Sequence, residues 1–268
     1  MRADLALVEA GLSPSRAQAQ ALIEQGVVFV RRGVAAPVAV RKASQHVEPF
    51  ETLELAENQG PRYVSRGGLK LHHALEHLGW HVTGLACIDL GQSTGGFTDC
   101  LLQRGARSVI GVDVGKDQLH PSLRNHTQVF ALEGVNLKTA NPVELLEFFN
   151  TQCPAFLPIG LAVADLSFIS LGKVIPTFAN LLPSNCMCLW LVKPQFEVGP
   201  EHIGKQGLVK LEAGLIERVH TDIHTHCTQH GFDVQAFFPC AIKGGEGNQE
   251  YFVAARKRTT LLSETKPT

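Results

Sequence analysis

The chain has 268 residues, 44% of them hydrophobic, enough for one large domain or two smaller ones with a real core. A formal charge of −1 excludes a globally basic nucleic-acid binder, so any basic surface must be local. The 7 cysteines form no C-x-x-C pair, which argues for reduced thiols in a cytoplasmic protein and against a disulfide scaffold or a metal site. No run reaches the length of a membrane span, and the opening "MRADLALVEAGL" carries charge inside its apolar stretch, unlike a signal peptide.

The first predicted elements are helical. "DLALVEAGL" places Leu5, Val8 and Leu12 on one stripe, with Gly11 marking its end. "SPSRAQAQALIEQG" reads as a second helix, capped by Ser13 or Ser15, with Ala19, Leu22 and Ile23 facing inward and Gly26 closing it. "VVFVRRG", "APVAV" and "ETLELA" follow as short strands, completing a small α+β unit. Within residues 1–42, six basic residues (Arg2, Arg16, Arg31, Arg32, Arg41 and Lys42) outnumber three acids, Asp4, Glu9 and Glu24. On charge alone this is an ordinary solvated face. The run "SRAQAQALIEQGVVFV", however, resembles the alpha-L RNA-binding motif, with "RRG" standing where that family has an asparagine–glycine turn. The resemblance implies an RNA-binding domain over residues 1–56, with Arg16 on a phosphate. Arg2, Arg31, Arg32 and, further on, Arg66 are the other candidate contacts. Such contacts position RNA without reading its sequence.

Residues 57–64 read as a Gly/Pro linker, and "SRGGLKLHHALEHLGW" as a helix beginning near Ser65 to Gly68 and ending near Gly79. From residue 85 a strand–helix rhythm sets in. "LACIDLG", "SVIGVDVG", "TQVFAL", "IGLAVADLSF", "NCMCLWLVK", "FDVQAFFPC" and "EYFVAARK" are the strands, with helices at "GGFTDCLLQRG" and "NPVELLEFF". Continuous apolar strands alternating with helices argue a parallel sheet covered on both faces, a domain expected over residues 65–258 with a frayed tail at 259–268.

The first of these strands runs into "DLGQSTGGFTDCLL". Gly91 permits a tight turn, and Gly95 and Gly96 let a ligand approach the backbone where a helix begins. The spacing is not G-x-G-x-x-G, so a pyrophosphate-binding site is poorly matched. The next strand ends in Asp113, placed as a ribose-binding acid would be. A glycine turn plus that acid, with no phosphate-cradling lysine, suits a nucleoside lacking phosphates, and S-adenosylmethionine is the obvious one. The candidate cofactor residues are Asp89, Gly91, Ser93, Thr94, Gly95, Gly96, Phe97, Asp113 and Asp165. Taken alone, the glycines are equally an ordinary strand–helix turn.

Sites in parallel sheets open at the carboxyl ends of strands. Asp165 ends the fourth strand and Lys193 the fifth, where "LWLVKPQFEVG" sets an amine directly after a buried apolar run, so the two should be neighbours. Lys70 comes from the helix before the first strand, and Glu250 begins the last one. Two lysines and two acids at one mouth can orient an amine and tune it to accept a proton from a hydroxyl. A structural ion pair is the plainer reading of Lys193 and Asp165 alone.

The set Lys70–Asp165–Lys193–Glu250 resembles the Lys-Asp-Lys-Glu tetrad of FtsJ-type ribose 2′-O-methyltransferases. "YVSRGGLKL", "DLGQSTGGFTDCLL", "GVDVG", "VADLSFISL", "LVKPQFEVG" and "GNQEYF" resemble the signatures of the hemolysin A, or TlyA, family. The resemblance implies an α/β, Rossmann-like class I methyltransferase domain: a seven-stranded sheet with its last strand antiparallel, behind the N-terminal RNA-binding domain. It implies S-adenosylmethionine as cofactor and ribosomal RNA or ribosomal subunits as partner. It also implies methylation of a cytidine 2′-OH in the large subunit, or in both subunits for the longer family type, with the short termini here leaning to the shorter. Lys193 would be the base, Lys70 and Asp165 would orient it, and Glu250 would fix the lysines.

"HTDIHTHCTQH" tempts a metal reading through His220, His224 and Cys227, but these flank the apolar stripe of Leu215, Val219 and Ile223, and a fourth ligand is lacking. No metal is expected. The segment 196–209 is either a lid that orders over RNA or an exposed connection. Competing readings are a non-catalytic ribosome-assembly factor, a small-molecule methyltransferase and a membrane-active haemolysin.

Overall fold

The computed structural model describes residues 1–24, 26–33, 35–55, 62–204, 206–210, 212–244 and 247–259. It forms two units, Met1–Leu69 and Lys70–Thr268. Most of the expected linker, 57–61, and of the expected tail, 260–268, lies outside the described residues.

In the first unit the chain forms α1 (Ala3–Glu9), α2 (Arg16–Glu24), β1 (Val28–Arg32), β2 (Val38–Ala39) and β3 (Glu51–Leu55). The strand order is β2–β1–β3, with both pairings antiparallel. Ser15 Oγ accepts the Gln18 amide at 3.3 Å, so Ser15 rather than Ser13 caps α2. Ala19, Leu22 and Ile23 are buried and pack with Val28, Val30, Val40 and Val47. The α1 stripe departs from expectation: Ala3, Asp4 and Leu7 are buried, whereas Leu5 and Val8 are exposed. The cause is Asp4, whose covered carboxylate gathers Arg2, Arg16 and Gln20 and so fixes which face turns inward. The expected strand at "APVAV" shrinks to two residues, directly after Pro37, which lacks an amide donor.

Helix α3 (Arg66–Leu78) carries the chain into the second unit. There follow β4 (Ala86–Leu90), α4 (Gly96–Gln103), β5 (Ser108–Asp113), α5 (Pro121–Arg124), β6 (Val129–Glu133), α6 (Pro142–Gln152) and β7 (Ile159–Ala164). Then come α7 (Ile175–Leu181), β8 (Met187–Val192), α8 (Pro194–Glu197), α9 (Leu215–Gln229), β9 (Phe232–Pro239) and β10 (Tyr251–Lys257). The sheet order is β6–β5–β4–β7–β8–β10–β9. The β4–β8 pairings are parallel, while β10 runs antiparallel to both β8 and β9. The last strand is antiparallel because the connection 240–250 is too short for the crossover that a parallel pairing needs.

The inner strands β4, β5, β7, β8 and β10 are buried on both faces, whereas the edge strands β6 and β9 are partly open. Ile88, Ile110, Ala162, Trp190 and Val253 point to one side, packing with Phe149 of α6, Phe178 of α7 and Val219, Ile223 and Cys227 of α9. From the other side Phe252 stacks on Phe97 of α4 at 6.4 Å, and Phe238 meets His77 of α3 at 4.3 Å. This leaves the carboxyl ends of the five parallel strands in one row, the place where a site can open.

Candidate active site

The strand ends bring the charged residues together. β8 stops at Val192 because Pro194 cannot extend the ladder; its fixed φ begins α8 instead and leaves Lys193 at the corner. Lys193 Nζ lies 2.6 Å from Asp165 Oδ1, just past β7, and donates to Ser167 Oγ at 2.8 Å. Across the sheet, Lys70 Nζ donates to Glu250 Oε2 at 2.5 Å, with both residues buried. Tyr251 pairs with Val192 in the β10–β8 ladder, so one further step sets Glu250 opposite Lys193. The four candidate residues thus form two lysine–carboxylate pairs on neighbouring strand ends.

Asp165 also lines a cleft of about 760 Å³. Gly91, Ser93, Val112, Asp113 and Gly115 form one wall, residues 135–138 a second, and residues 165–170 with Gln195 and Phe196 a third. Gly91 has φ +90°, and a Cβ there would come within 2.7 Å of the Asp165 carbonyl oxygen, so glycine is required where the two strand ends converge. Asp113 accepts the Ser93 amide through Oδ2 and the Gly115 amide through Oδ1, each at 2.7 Å. A carboxylate has about four acceptor positions, so both oxygens keep capacity for a ligand.

Asp89 is fully buried on the α4 side. Its Oδ2 accepts the Thr98 amide at 3.0 Å and the Thr98 hydroxyl at 2.7 Å, while Oδ1 has no partner among the described residues. Gln92 Nε2 donates to the same hydroxyl at 2.9 Å. Burial pushes the Asp89 carboxyl up to about 7; the Thr98 bonds oppose this, and the charges of Asp165 and Asp113 add to it. Thr94, Gly95, Gly96 and Phe97 do not line the cleft: Gly95 and Gly96 are buried, and Phe97 is a core residue stacked on Phe252. The cleft also holds cations that the glycine turn does not reveal, Lys138 and Lys173, so its walls are not free of phosphate-binding groups. Lys138, Asn136 and Leu137 were legible in principle. Asp113 pairs with Glu133, which puts the end of β6 in the same row as β4, β5 and β7. Ser167 could be read only from its place two residues after Asp165.

The arginines expected to meet RNA all carry acidic partners. Arg2 and Arg16 bind Asp4 at 3.0 and 2.9 Å, Arg66 binds Glu24 at 2.9 Å, Arg31 pairs with Glu54 and Arg32 with Glu51. Extending the count to residue 55 adds Glu48, Glu51 and Glu54, giving six basic and six acidic residues, so the local positive excess disappears. Hydrogen bonding from Arg2 holds the Asp4 carboxyl well below the usual carboxylate range, with Gln20 and Arg16 adding to it and burial opposing.

In α9, Cys227 belongs to the buried stripe itself, and His220 stacks on Phe237 at 4.5 Å. No group of His, Cys, Asp and Glu suited to a metal is found among the described residues. Nor, among them, is any helix long and apolar enough to cross a membrane. In the 196–209 segment, Ile203 bridges to Val209, and Asn248 pins the pair by accepting the Val209 amide and donating to the Gly207 carbonyl, both at 2.9 Å.

The FtsJ-like methyltransferase family matches residues 63–257. A 16S/23S rRNA (cytidine-2′-O)-methyltransferase, TlyA of Mycobacterium tuberculosis, is 37% identical over 265 residues, covering 99% of this chain and 93% of its own. Hemolysin A of Brachyspira hyodysenteriae is 35% identical over 251 residues, covering 94% and 98%. Among solved structures, a candidate hemolysin from Streptococcus thermophilus shares 36% identity with a TM-score of 0.68, covering 96% of this chain and 88% of that one. The chain therefore belongs to the FtsJ-like methyltransferases and, within them, to the TlyA/hemolysin A family.

Proposed function

We propose that this protein transfers the methyl group of S-adenosylmethionine to the 2′-OH of a cytidine in ribosomal RNA. The observation that carries the reading is the Lys193–Asp165 pair at 2.6 Å on the rim of the cleft, with Lys70–Glu250 on the adjoining strand end. The activity named for the Mycobacterium tuberculosis relative supports it.

The residues of the cleft fit the cofactor. Its volume of about 760 Å³ is within the range of small-molecule sites. Asp113 would hold the ribose hydroxyls, and Gly91 and Ser93 would lie against the remainder, with Asp89 and the buried turn through Thr94, Gly95, Gly96 and Phe97 supporting them. When bound, S-adenosylmethionine supplies a methyl group made electrophilic by its positive sulfur. Lys193 would take the 2′-OH proton at Nζ while the oxygen attacks. Asp165 and Ser167 fix the direction of that amine, Lys70 adds a second cation beside it, and Glu250 holds Lys70. Much of the rate would come from alignment. An acceptor 2′-OH would exclude DNA.

For RNA capture, Arg2, Arg16, Arg31, Arg32 and Arg66 would have to share or exchange their carboxylates for phosphates. Substrate on the ribosome would place the protein in the cytoplasm. The large subunit is the expected acceptor. Because the relative named for both subunits is matched over 99% of this chain, the small subunit belongs in the same assay.

The test is methyl transfer from labelled S-adenosylmethionine to 30S and 50S subunits lacking the modification, followed by nucleoside analysis, with Lys193→Ala alongside. A 2′-O-methylcytidine that is lost in the variant is expected. No label on either subunit despite cofactor binding would turn the reading toward an assembly factor or a small-molecule methyltransferase.

A further inference from the structure

We infer that Glu197 is a positioning residue for the methyl-transfer site, bracing the turn after Lys193 against the loop that carries Asp165, Ser167 and Phe168. The inference rests on the reading of Lys193 and Asp165 given above.

The 165–171 loop is poorly held by its own backbone. The Asp165 amide bonds to the Leu90 carbonyl at 3.1 Å, and the Lys173 amide to the Ser170 carbonyl at 3.1 Å. Between these two points, the loop's one amide hydrogen bond among the described residues is from Leu171 to Glu197 Oε1, at 2.7 Å. Glu197 Oε2 accepts the Ser170 hydroxyl at 2.7 Å as well. Within the same loop Phe168 has φ +63° and is 92% exposed, a strained conformation for an aromatic residue that the surroundings must hold in place. Its only ring contact among the described residues is with Phe196, at 5.4 Å, the neighbour of Glu197.

Glu197 sits at the end of α8, the turn that Pro194 starts directly after Lys193. Its two bonds therefore span the gap between the ends of β7 and β8. The Lys193–Asp165 and Lys193–Ser167 contacts span the same gap. Four contacts thus close a ring: Lys193 to the start of the loop, Glu197 to its end. Removing Glu197 opens the ring on the side away from Lys193 and frees Ser167 and Asp165 to move. Burial pushes the Glu197 carboxyl above its ordinary range, with the Ser170 and Leu171 bonds and Lys173 pulling it back and Asp222 adding to the rise. An acid kept there against its solvation is not serving solubility.

The experiment is steady-state methyl transfer to ribosomal subunits lacking the modification, read as kcat, with S-adenosylmethionine Kd and the melting midpoint measured in parallel. The variants are Glu197→Ala, Glu197→Gln, Ser170→Ala and Lys193→Ala. Misplacement of a reacting group by about 1 Å costs on the order of 10²-fold. Glu197→Ala should lose about that much in kcat with a far smaller change in cofactor Kd, since Asp113 and Gly91 on the other wall are untouched. Glu197→Gln, which can still accept from Leu171, should recover most of the loss, and Ser170→Ala should show a smaller one. If Glu197→Ala fails to fold, the other two decide. Wild-type kcat in Glu197→Ala or, failing that, in Ser170→Ala would overturn the role. So would a loss in Glu197→Gln as large as in Glu197→Ala with cofactor binding gone. Turnover retained in Lys193→Ala would instead remove the parent reading, whereas loss there with wild-type kcat in Glu197→Ala removes only the brace.

Discussion

The two units use opposite charges in different ways. In the first, the arginines meet acids with their own side chains left open to solvent: Arg16 is 54% exposed and Arg32 72%. In the second, Lys70 and Glu250 are 10% and 3% exposed, and Lys193 and Asp165 are 10% and 22%. Arg31 and Glu54, at 38% and 34%, are exposed on both sides; such a pair contributes little and is screened by salt, so Arg31 can trade its carboxylate for a phosphate at small cost, whereas Arg16 and Arg32 meet the covered acids Asp4 and Glu51 (0% and 2%) and would share rather than release them. A covered pair is expensive to separate, because the charge left behind has no water to turn to. The same residue types therefore give an exchangeable surface in one place and a fixed geometry in the other.

The largest expected effect lies at the covered pair. Glu250→Ala strands Lys70 and should cost about 3–5 kcal/mol in denaturant unfolding of the second unit, along with turnover. An unmoved midpoint would break the contrast. Asp4 is intermediate, a covered acid with exposed partners. Asp4→Ala should cost about 1–3 kcal/mol, lost with its hydrogen bonds, in thermal unfolding. Because the Arg2 bond holds Asp4 below the usual range, its contribution is present above about pH 4 and fades as pH falls below that. The variant should show no such acid-dependent loss.

Asp89 sharpens the comparison, being a covered acid with no cation partner among the described residues. Its folded form holds a proton that the unfolded chain releases near pH 4, so the sign reverses. Its share of stability declines as pH rises from about 4 through about 7, and Asp89→Asn should flatten that part of the profile. A profile unchanged by the substitution would contradict the burial argument. The smallest stability effect is at Arg31→Gln, whose partner Glu54 is itself exposed and where the unfolding midpoint should stay put; Arg32→Gln, which leaves the covered Glu51 without its cation, should lower it slightly. RNA affinity should fall, and the log–log salt slope should become shallower by roughly 1 per lost phosphate contact. Unchanged RNA affinity would leave those arginines as partners of Glu54 and Glu51 only.

Much of the second unit was legible because its strands are short apolar runs bounded by glycine and charge. Lys193 and Asp165 could be expected as neighbours because both end strands that run the same way. Lys70 and Glu250 could be placed at the same mouth from the ends of their elements, but not paired with each other from spacing, being 180 residues apart. The α1 face was misread because Leu5, Leu7 and Val8 allow more than one helical stripe, and a buried aspartate decided among them. The acids that face Arg31 and Arg32 lie on β3, outside residues 1–42, so the charge balance of that stretch could not show these pairs. The Glu197 brace was invisible for the same reason: a carboxylate shows its partner only after folding.

The placement of β10 between β8 and β9 has a consequence for biosynthesis. Lys70 leaves the ribosome near the start of its unit and Glu250 near the end, 180 residues later. At about 5–20 residues per second that delay is roughly 10–40 s. Through that interval the lysine has no acid to meet, and from the time β8 is made until β10 follows, β8 is an open sheet edge, so the nascent chain has its parallel core before it has its site. A chain cut short before residue 250 would lose more than its final strand. It would be left with an uncompensated ammonium and an unprotected strand, a combination that invites aggregation and proteolysis.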